Sequence, residues 1–309
     1  MTTATPPLTD VLASPSAALV LDGGLSNQLE SAGHDLGDDL WSARLLAEDP
    51  EALVAAHLAY YEAGADVVTT AGYQATFEGF ARRGVGRARA AELLALSVES
   101  VREAAVRARA AGVSRPLWTA ASAGPYGAML ADGSEYRGRY GLGTAALEAF
   151  HRPRLEALAA AGPDVLALET VPDADEARAL LRAVRGLGVP AWLSYTVAGG
   201  RTRAGGTLEE AFGLAAEADE IVAVGVNCCA PEEVLPAVET AARVSGKPVV
   251  AYPNSGETWD PVAGGWRGRS TFRADRAEEW RRAGARLIGG CCRVGPDAVA
   301  ALADRLRRR

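Results

Sequence analysis

Four cysteines stand in two adjacent pairs, Cys228-Cys229 and Cys291-Cys292. Thiolate sulfur is a preferred zinc ligand, and three protein thiolates would leave the fourth tetrahedral position open for a substrate. The pairs lie too far apart in sequence for a local zinc knuckle or finger. They can meet only if the fold brings the ends of two strands to one rim. Two other readings compete: cysteines as small buried hydrophobes, or vicinal disulfides, which are strained and which a reducing cytosol would open. Two pairs at two strand ends, each introduced by a Gly- or Asn-containing turn, favour metal. The pattern alone leaves open which of Cys228 and Cys229 is the ligand.

The elements needed to position these thiols can be read along the chain. Short apolar runs at 18–22, 65–72, 116–122, 164–169, 191–196, 221–227, 248–252 and 286–290 predict strands. Most are continuously apolar rather than alternating, as strands buried on both faces of a parallel sheet are. Helical patterns lie between them. Leu94, Val98, Val101 and Ala105 share one helix face, as do Ala177, Leu180, Leu181 and Val184. Pro231-Glu232-Glu233 reads as a helix start, and Gly64, Gly162, Gly188 and Gly284 fall where a left-handed C-cap is wanted.

Strict alternation of strand and helix predicts an α/β fold, a single (β/α)8 TIM barrel, over an open doubly wound sheet. No linker or composition break divides the 309 residues, so 1–309 is expected to be one domain, with 1–16 an irregular N-terminal segment. The longest non-periodic stretches, 123–143 and 253–274, follow predicted strands, where a barrel keeps its active-site loops.

Composition narrows the class. Hydrophobic residues make up 49% of the chain and charged residues 23%, which suits a large core. The net charge of −7 and a single basic run at the C-terminus argue against nucleic acid as a partner. The N-terminus lacks a signal-peptide pattern and no run is long enough to span a membrane, so a soluble, cytoplasmic protein is expected. His34, His57 and His151 sit in a loop or in helical patterns and read as structural. No Walker A sequence and no GxGxxG after a strand favours a nucleotide cofactor.

GVNC at 225–228 together with GGCC at 289–292 resembles the paired zinc motif of the homocysteine S-methyltransferases. The likeness covers nearly the whole chain: Asp22-Gly23-Gly24, DDLWSARLL at 38–46, TTAGYQATFEGF at 69–80, SAGPYGAMLADGSEYRG at 122–138, FHRPRLEAL at 150–158, ETVP at 169–172, YPNSGE at 252–257 and ARLIGGCCR at 285–293. It is nearest the branch that uses S-methylmethionine or S-adenosylmethionine. The resemblance implies a Zn2+ enzyme that methylates L-homocysteine to methionine, with Cys228, Cys291 and Cys292 as metal ligands. It places Asp22, Gly23 and Glu169 at the amino-acid end of homocysteine, and Trp41 and Tyr73 near the methyl donor. Cys229 departs from the pattern and is read as a spare thiol. Tyr126 and Tyr195 are further donor-side candidates from strand-end position alone.

This chemistry suits the residues. A free thiol is mostly protonated at neutral pH, and zinc removes the proton. Several thiolates around one ion leave excess negative charge, which keeps sulfur electron-rich and attracts a cationic sulfonium. Betaine- and selenocysteine-type methyltransferases of the same family are the alternatives within the class. Outside it stand a zinc barrel hydrolase, whose sites are usually richer in His and carboxylate, and a non-enzymatic zinc-thiolate or redox-sensing protein. The partners expected are small molecules, homocysteine and a methyl donor, with no nucleic acid and no membrane. The sequence leaves the preferred donor and the oligomeric state open, a homo-oligomer included.

Overall fold

The structure is a computed structural model that describes residues 5–260 and 265–308. Its centre is an eight-stranded parallel sheet: β1 (Leu19–Val20), β2 (Val67–Thr69), β3 (Trp118–Ala123), β4 (Val165–Val171), β5 (Ala191–Tyr195), β6 (Ile221–Asn227), β7 (Val249–Tyr252) and β8 (Ala285–Ile288). Each strand pairs in parallel with the next, and β1 pairs with β8 through Leu19↔Leu287 and Val20↔Ile288. A parallel bridge, Leu21↔Val67, joins the end of β1 to β2 and closes the cylinder. This is the (β/α)8 barrel expected from the alternating pattern.

Both faces of every strand are covered, which explains the continuous apolar runs. One set of alternate residues fills the barrel: Leu19, Val67, Trp118, Val165, Trp192, Ala223, Val250 and Leu287 belong to one buried cluster. Their neighbours Val20, Val68, Ala121, Leu166, Leu193, Val224, Val249 and Ile288 face the helices in a second cluster. Two tryptophans among alanines pack the interior with volume that small side chains alone would not supply.

The segment 1–16, expected to be irregular, contains a short helix, Leu8–Leu12. Leu8 and Leu12 join the barrel-interior cluster, and Trp118 Nε1 donates to the Pro6 carbonyl at 2.8 Å. The N-terminal residues therefore plug the barrel at the end opposite the thiols.

The outer helices follow their sequence signals. Pro50–Ala63 begins with Asp49 accepting from the Ala52 amide and ends at Gly64 with φ 115°. Helix Arg87–Ala110 buries Leu94, Val98, Val101 and Ala105. Pro231–Ser245 has proline in its first turn. The stretch 123–143 carries two short helical turns, Tyr126–Leu130 and Ser134–Tyr136, and a small hairpin pairs Thr258–Asp260 with Gly265–Arg267. No described helix is long and apolar enough to cross a membrane.

Candidate active site

β6 and β8 deliver their cysteines to the same point above the barrel. Cys228 Sγ lies 2.9 Å from Cys291 Sγ and 3.7 Å from Cys292 Sγ, and the latter two are 4.0 Å apart. All four cysteines are free. The three clustered thiols form the one group among the described residues with metal-ligand geometry. Four thiolates about a zinc ion would sit about 3.8 Å apart, given a Zn–S bond of about 2.3 Å. Two of the three separations match that figure, and the Cys228–Cys291 pair stands closer, at 2.9 Å. The donor set is soft, three-fold and one ligand short of a tetrahedron, so it fits zinc with a vacant coordination position.

Local backbone decides which cysteine of the first pair takes part. Cys228 has φ 50°, a left-handed conformation uncommon for a side chain with a β-carbon. The bend turns Cys228 toward the cluster and leaves Cys229 in the hydrophobic core at 1% exposure, where burial pushes its thiol up. The second pair is held by the loop after β7: the Cys291 amide donates to the Pro253 carbonyl, the Cys292 amide to Asn254 Oδ1, and the Ser255 amide to the Cys292 carbonyl. Contact with the Cys228 and Cys291 sulfurs holds the Cys292 thiol well below the usual thiol range.

Two acids flank the thiols. Asp22 is fully buried at the end of β1, with Oδ2 accepting from the Thr69 amide at 2.8 Å and hydroxyl at 2.9 Å, and Oδ1 accepting from Tyr252 Oη at 2.5 Å. Burial raises its carboxyl to about 7. Glu169, on β4, accepts from the Ser122 hydroxyl, and burial raises it further, to about 8. Gly23 allows the rim turns to close: a β-carbon there would stand 2.1 Å from the Val294 carbonyl oxygen and 2.5 Å from the Tyr60 ring.

The aromatic candidates separate. Tyr73 is half-buried, and Cys228, Glu135 and Glu169 are all close enough to raise its phenol further after burial has done so. Trp41 lies at the head of helix Ser42–Glu48 with 39% of its surface exposed and φ 48°. Tyr195 is sealed in the core, its hydroxyl donating to the Ala211 carbonyl, and Tyr126 packs on Tyr140 and Phe150. The histidines lie outside the cluster. His57 is buried in its helix, and His151 bonds to Glu176 and Arg154 in a buried network below the loop after β3.

Sequence reasoning gave no role to Tyr136, whose hydroxyl donates to Cys228 Sγ at 3.7 Å. It also missed Asn227, whose amide ties β4 to β6, and Tyr252, the partner of Asp22. Tyr136, Asn227 and Tyr252 all lie inside motifs quoted above, which was the available signal.

Three thiols converging on the C-terminal rim of a parallel barrel, with buried acids beside them, define an enzyme of the metal-dependent, thiol-ligated barrel class. The model of the family "Homocysteine S-methyltransferase" matches residues 19–306. Homocysteine S-methyltransferase 4 of Zea mays is 45% identical across 93% of this chain and 89% of its own length. Homocysteine S-methyltransferase of Escherichia coli (strain K12) is 44% identical across 93% and 94%. The metallated form of the homocysteine methyltransferase MmuM from Escherichia coli superposes with a TM-score of 0.87 at 41% identity, covering 97% of this chain and 100% of that one. The selenocysteine Se-methyltransferase of Brassica oleracea var. italica is 38% identical across 97% and 92%. This chain belongs to the homocysteine S-methyltransferase family.

Proposed function

We propose that the protein transfers a methyl group from a sulfonium donor, S-methylmethionine or S-adenosylmethionine, to L-homocysteine, forming methionine. The observation that carries this reading is the convergence of Cys228, Cys291 and Cys292 on one point in a chain 44% identical to a homocysteine S-methyltransferase over nearly its full length. A zinc ion held by the three thiolates would supply a Lewis acid that binds an arriving sulfur and lowers its pKa, so that the thiol releases its proton.

The residues around it bind and orient. Glu169, which accepts from Ser122, is assigned to the ammonium of homocysteine. Asp22, fixed by Thr69 and Tyr252, with Gly23 beside it, shapes the floor on which the amino-acid end rests. Tyr73 and Trp41 are assigned to the donor side, where aromatic faces attract a sulfonium. In the transfer the homocysteine sulfur forms a bond to the methyl carbon, and the carbon–sulfur bond of the donor breaks. The donor sulfur keeps the electron pair and leaves as a neutral thioether, and the thiol proton goes to solvent. With S-methylmethionine both products are methionine.

Zinc-loaded protein supplied with homocysteine and, separately, S-methylmethionine, S-adenosylmethionine, betaine and methyl-folate tests the proposal. Methionine should form with the two sulfoniums. Its absence with both would overturn the reading.

A further inference from the structure

Glu135 lies on the turn Ser134–Tyr136, next to the tyrosine that touches Cys228. Its Oε2 is enclosed and accepts no hydrogen bond, the one carboxylate oxygen in that condition among the described residues. Every other acid in or beneath the site has donors: Asp22 has Thr69 and Tyr252, Glu169 has Ser122, and Glu176 has the Tyr126 amide, Tyr140 and His151. The charged groups acting on Glu135 are Cys228 and Asp132, which repel rather than pair with it. Arg203 also approaches this turn, but it sits over the Tyr136 ring at 5.3 Å.

A second unpaired acceptor stands in the same corner. Gln74 Oε1 is buried without a partner while Gln74 Nε2 donates to the Ala128 carbonyl, and neighbouring Gly127 is packed against the Ser134–Glu135 backbone. An enclosed carboxylate oxygen without a donor is unfavourable, so its presence beside a reaction centre points to a ligand that brings the donor. A sulfonium centre has no N–H and offers a carboxylate oxygen its charge but no conventional hydrogen bond. An ammonium has three N–H groups and a positive charge.

We propose that Glu135 is the subsite for the α-ammonium group of the sulfonium amino-acid donor. This rests on the sulfonium reading above. Burial, with Cys228 and Asp132 nearby, raises the Glu135 carboxyl to about 6, which leaves it mostly ionised at neutral pH. The subsite gives the donor a second anchor, so that its methyl is aimed as well as attracted.

The test uses full-length, zinc-loaded wild type and Glu135→Gln, with S-methylmethionine and with dimethylsulfonioacetate, a sulfonium that lacks the ammonium. The latter is read as a Ki if it is not turned over. In Glu135→Gln the KM for S-methylmethionine should rise about ten- to a hundredfold, as loss of a charged hydrogen bond does. The homocysteine KM, the dimethylsulfonioacetate constant and the zinc content should stay within about twofold of wild type, which also shows that the variant is folded. Equal losses for the two sulfoniums would assign Glu135 to the sulfonium centre and overturn the proposal. An unchanged KM for S-methylmethionine, or a loss confined to homocysteine, would overturn it as well. Wild type inactive with every sulfonium would instead remove the functional reading, and the subsite with it.

Discussion

Asn227 clasps Thr170 across β4 and β6: its Oδ1 accepts from the Thr170 amide at 2.7 Å and its Nδ2 donates to the Thr170 hydroxyl at 2.7 Å. Ser194 on the intervening β5 donates to the same Oδ1 at 2.8 Å. Thr170 has φ 59° and follows Glu169, while Asn227 precedes Cys228, with φ 50°. One side chain thus joins the two left-handed bends that aim a site acid and a site thiol. Strained backbone of this kind persists only when its surroundings hold it.

Asn227→Ala should therefore disturb both ends at once. It strands the buried Thr170 amide and the buried hydroxyls of Thr170 and Ser194, a loss of about 1–3 kcal/mol of stability for each group left unpaired. We expect a lower denaturation midpoint together with reduced metal content and a higher homocysteine KM. If stability falls while metal and KM stay at wild-type values, the clasp does not position the site.

Much of this architecture was legible in the sequence because burial on both strand faces writes itself as unbroken apolar runs. The second strand is shorter than its run of 65–72, since regular pairing ends at Thr69, whose amide turns to Asp22. The fourth runs on to Val171 through the left-handed Thr170, which no residue type announces. The choice between Cys228 and Cys229 was legible only through the family motif, because a positive φ at a non-glycine leaves no mark in composition. The Asn227–Thr170 and Tyr252–Asp22 contacts join residues far apart in sequence, and only the closed barrel makes them neighbours.

The thiol assignment predicts a graded cysteine series. Cys228→Ser, Cys291→Ser and Cys292→Ser should each lose most bound zinc and activity, whereas Cys229→Ser, in the core, should keep both and lose only some stability. Metal analysis of the purified variants decides it. Full zinc content in Cys291→Ser would remove that ligand from the set.

Glu169 predicts a pH dependence in the metal-free protein. Its carboxyl is raised from an ordinary 4.5 to about 8, mainly by burial, so the folded chain holds a proton that the unfolded chain releases. The stability this group contributes is complete below about pH 4.5 and is lost as pH rises through about 8. Glu169→Gln, which cannot ionise, should lose on the order of 2–4 kcal/mol less stability than wild type between these limits. Denaturant unfolding at several pH values measures the difference. Parallel curves for the two proteins would show that Glu169 ionises freely when folded.

The donor side gives the last prediction. A sulfonium must present its methyl group in line with the homocysteine sulfur, so its positive centre has to lie close to the thiol cluster. Tyr73 is half-buried and within electrostatic reach of Cys228, whereas Trp41 keeps 39% of its surface in solvent. A cation over a desolvated ring gains about 2 kcal/mol and over an exposed one about 0.5–1 kcal/mol, so the two truncations should differ. Tyr73→Ala should raise the S-methylmethionine KM by roughly ten- to thirtyfold, and Trp41→Ala by roughly two- to fivefold, with homocysteine KM nearly unchanged in both. Tyr73→Phe keeps the ring and should lie close to wild type. S-methylmethionine should also exceed betaine in kcat/KM, because two methionyl charges as well as the sulfonium can be recognised where betaine offers one carboxylate. Steady-state kinetics with both donors settles the matter: a preference for betaine, or donor constants indifferent to Tyr73→Ala, would move the donor away from this tyrosine and place the chain in another branch of its family.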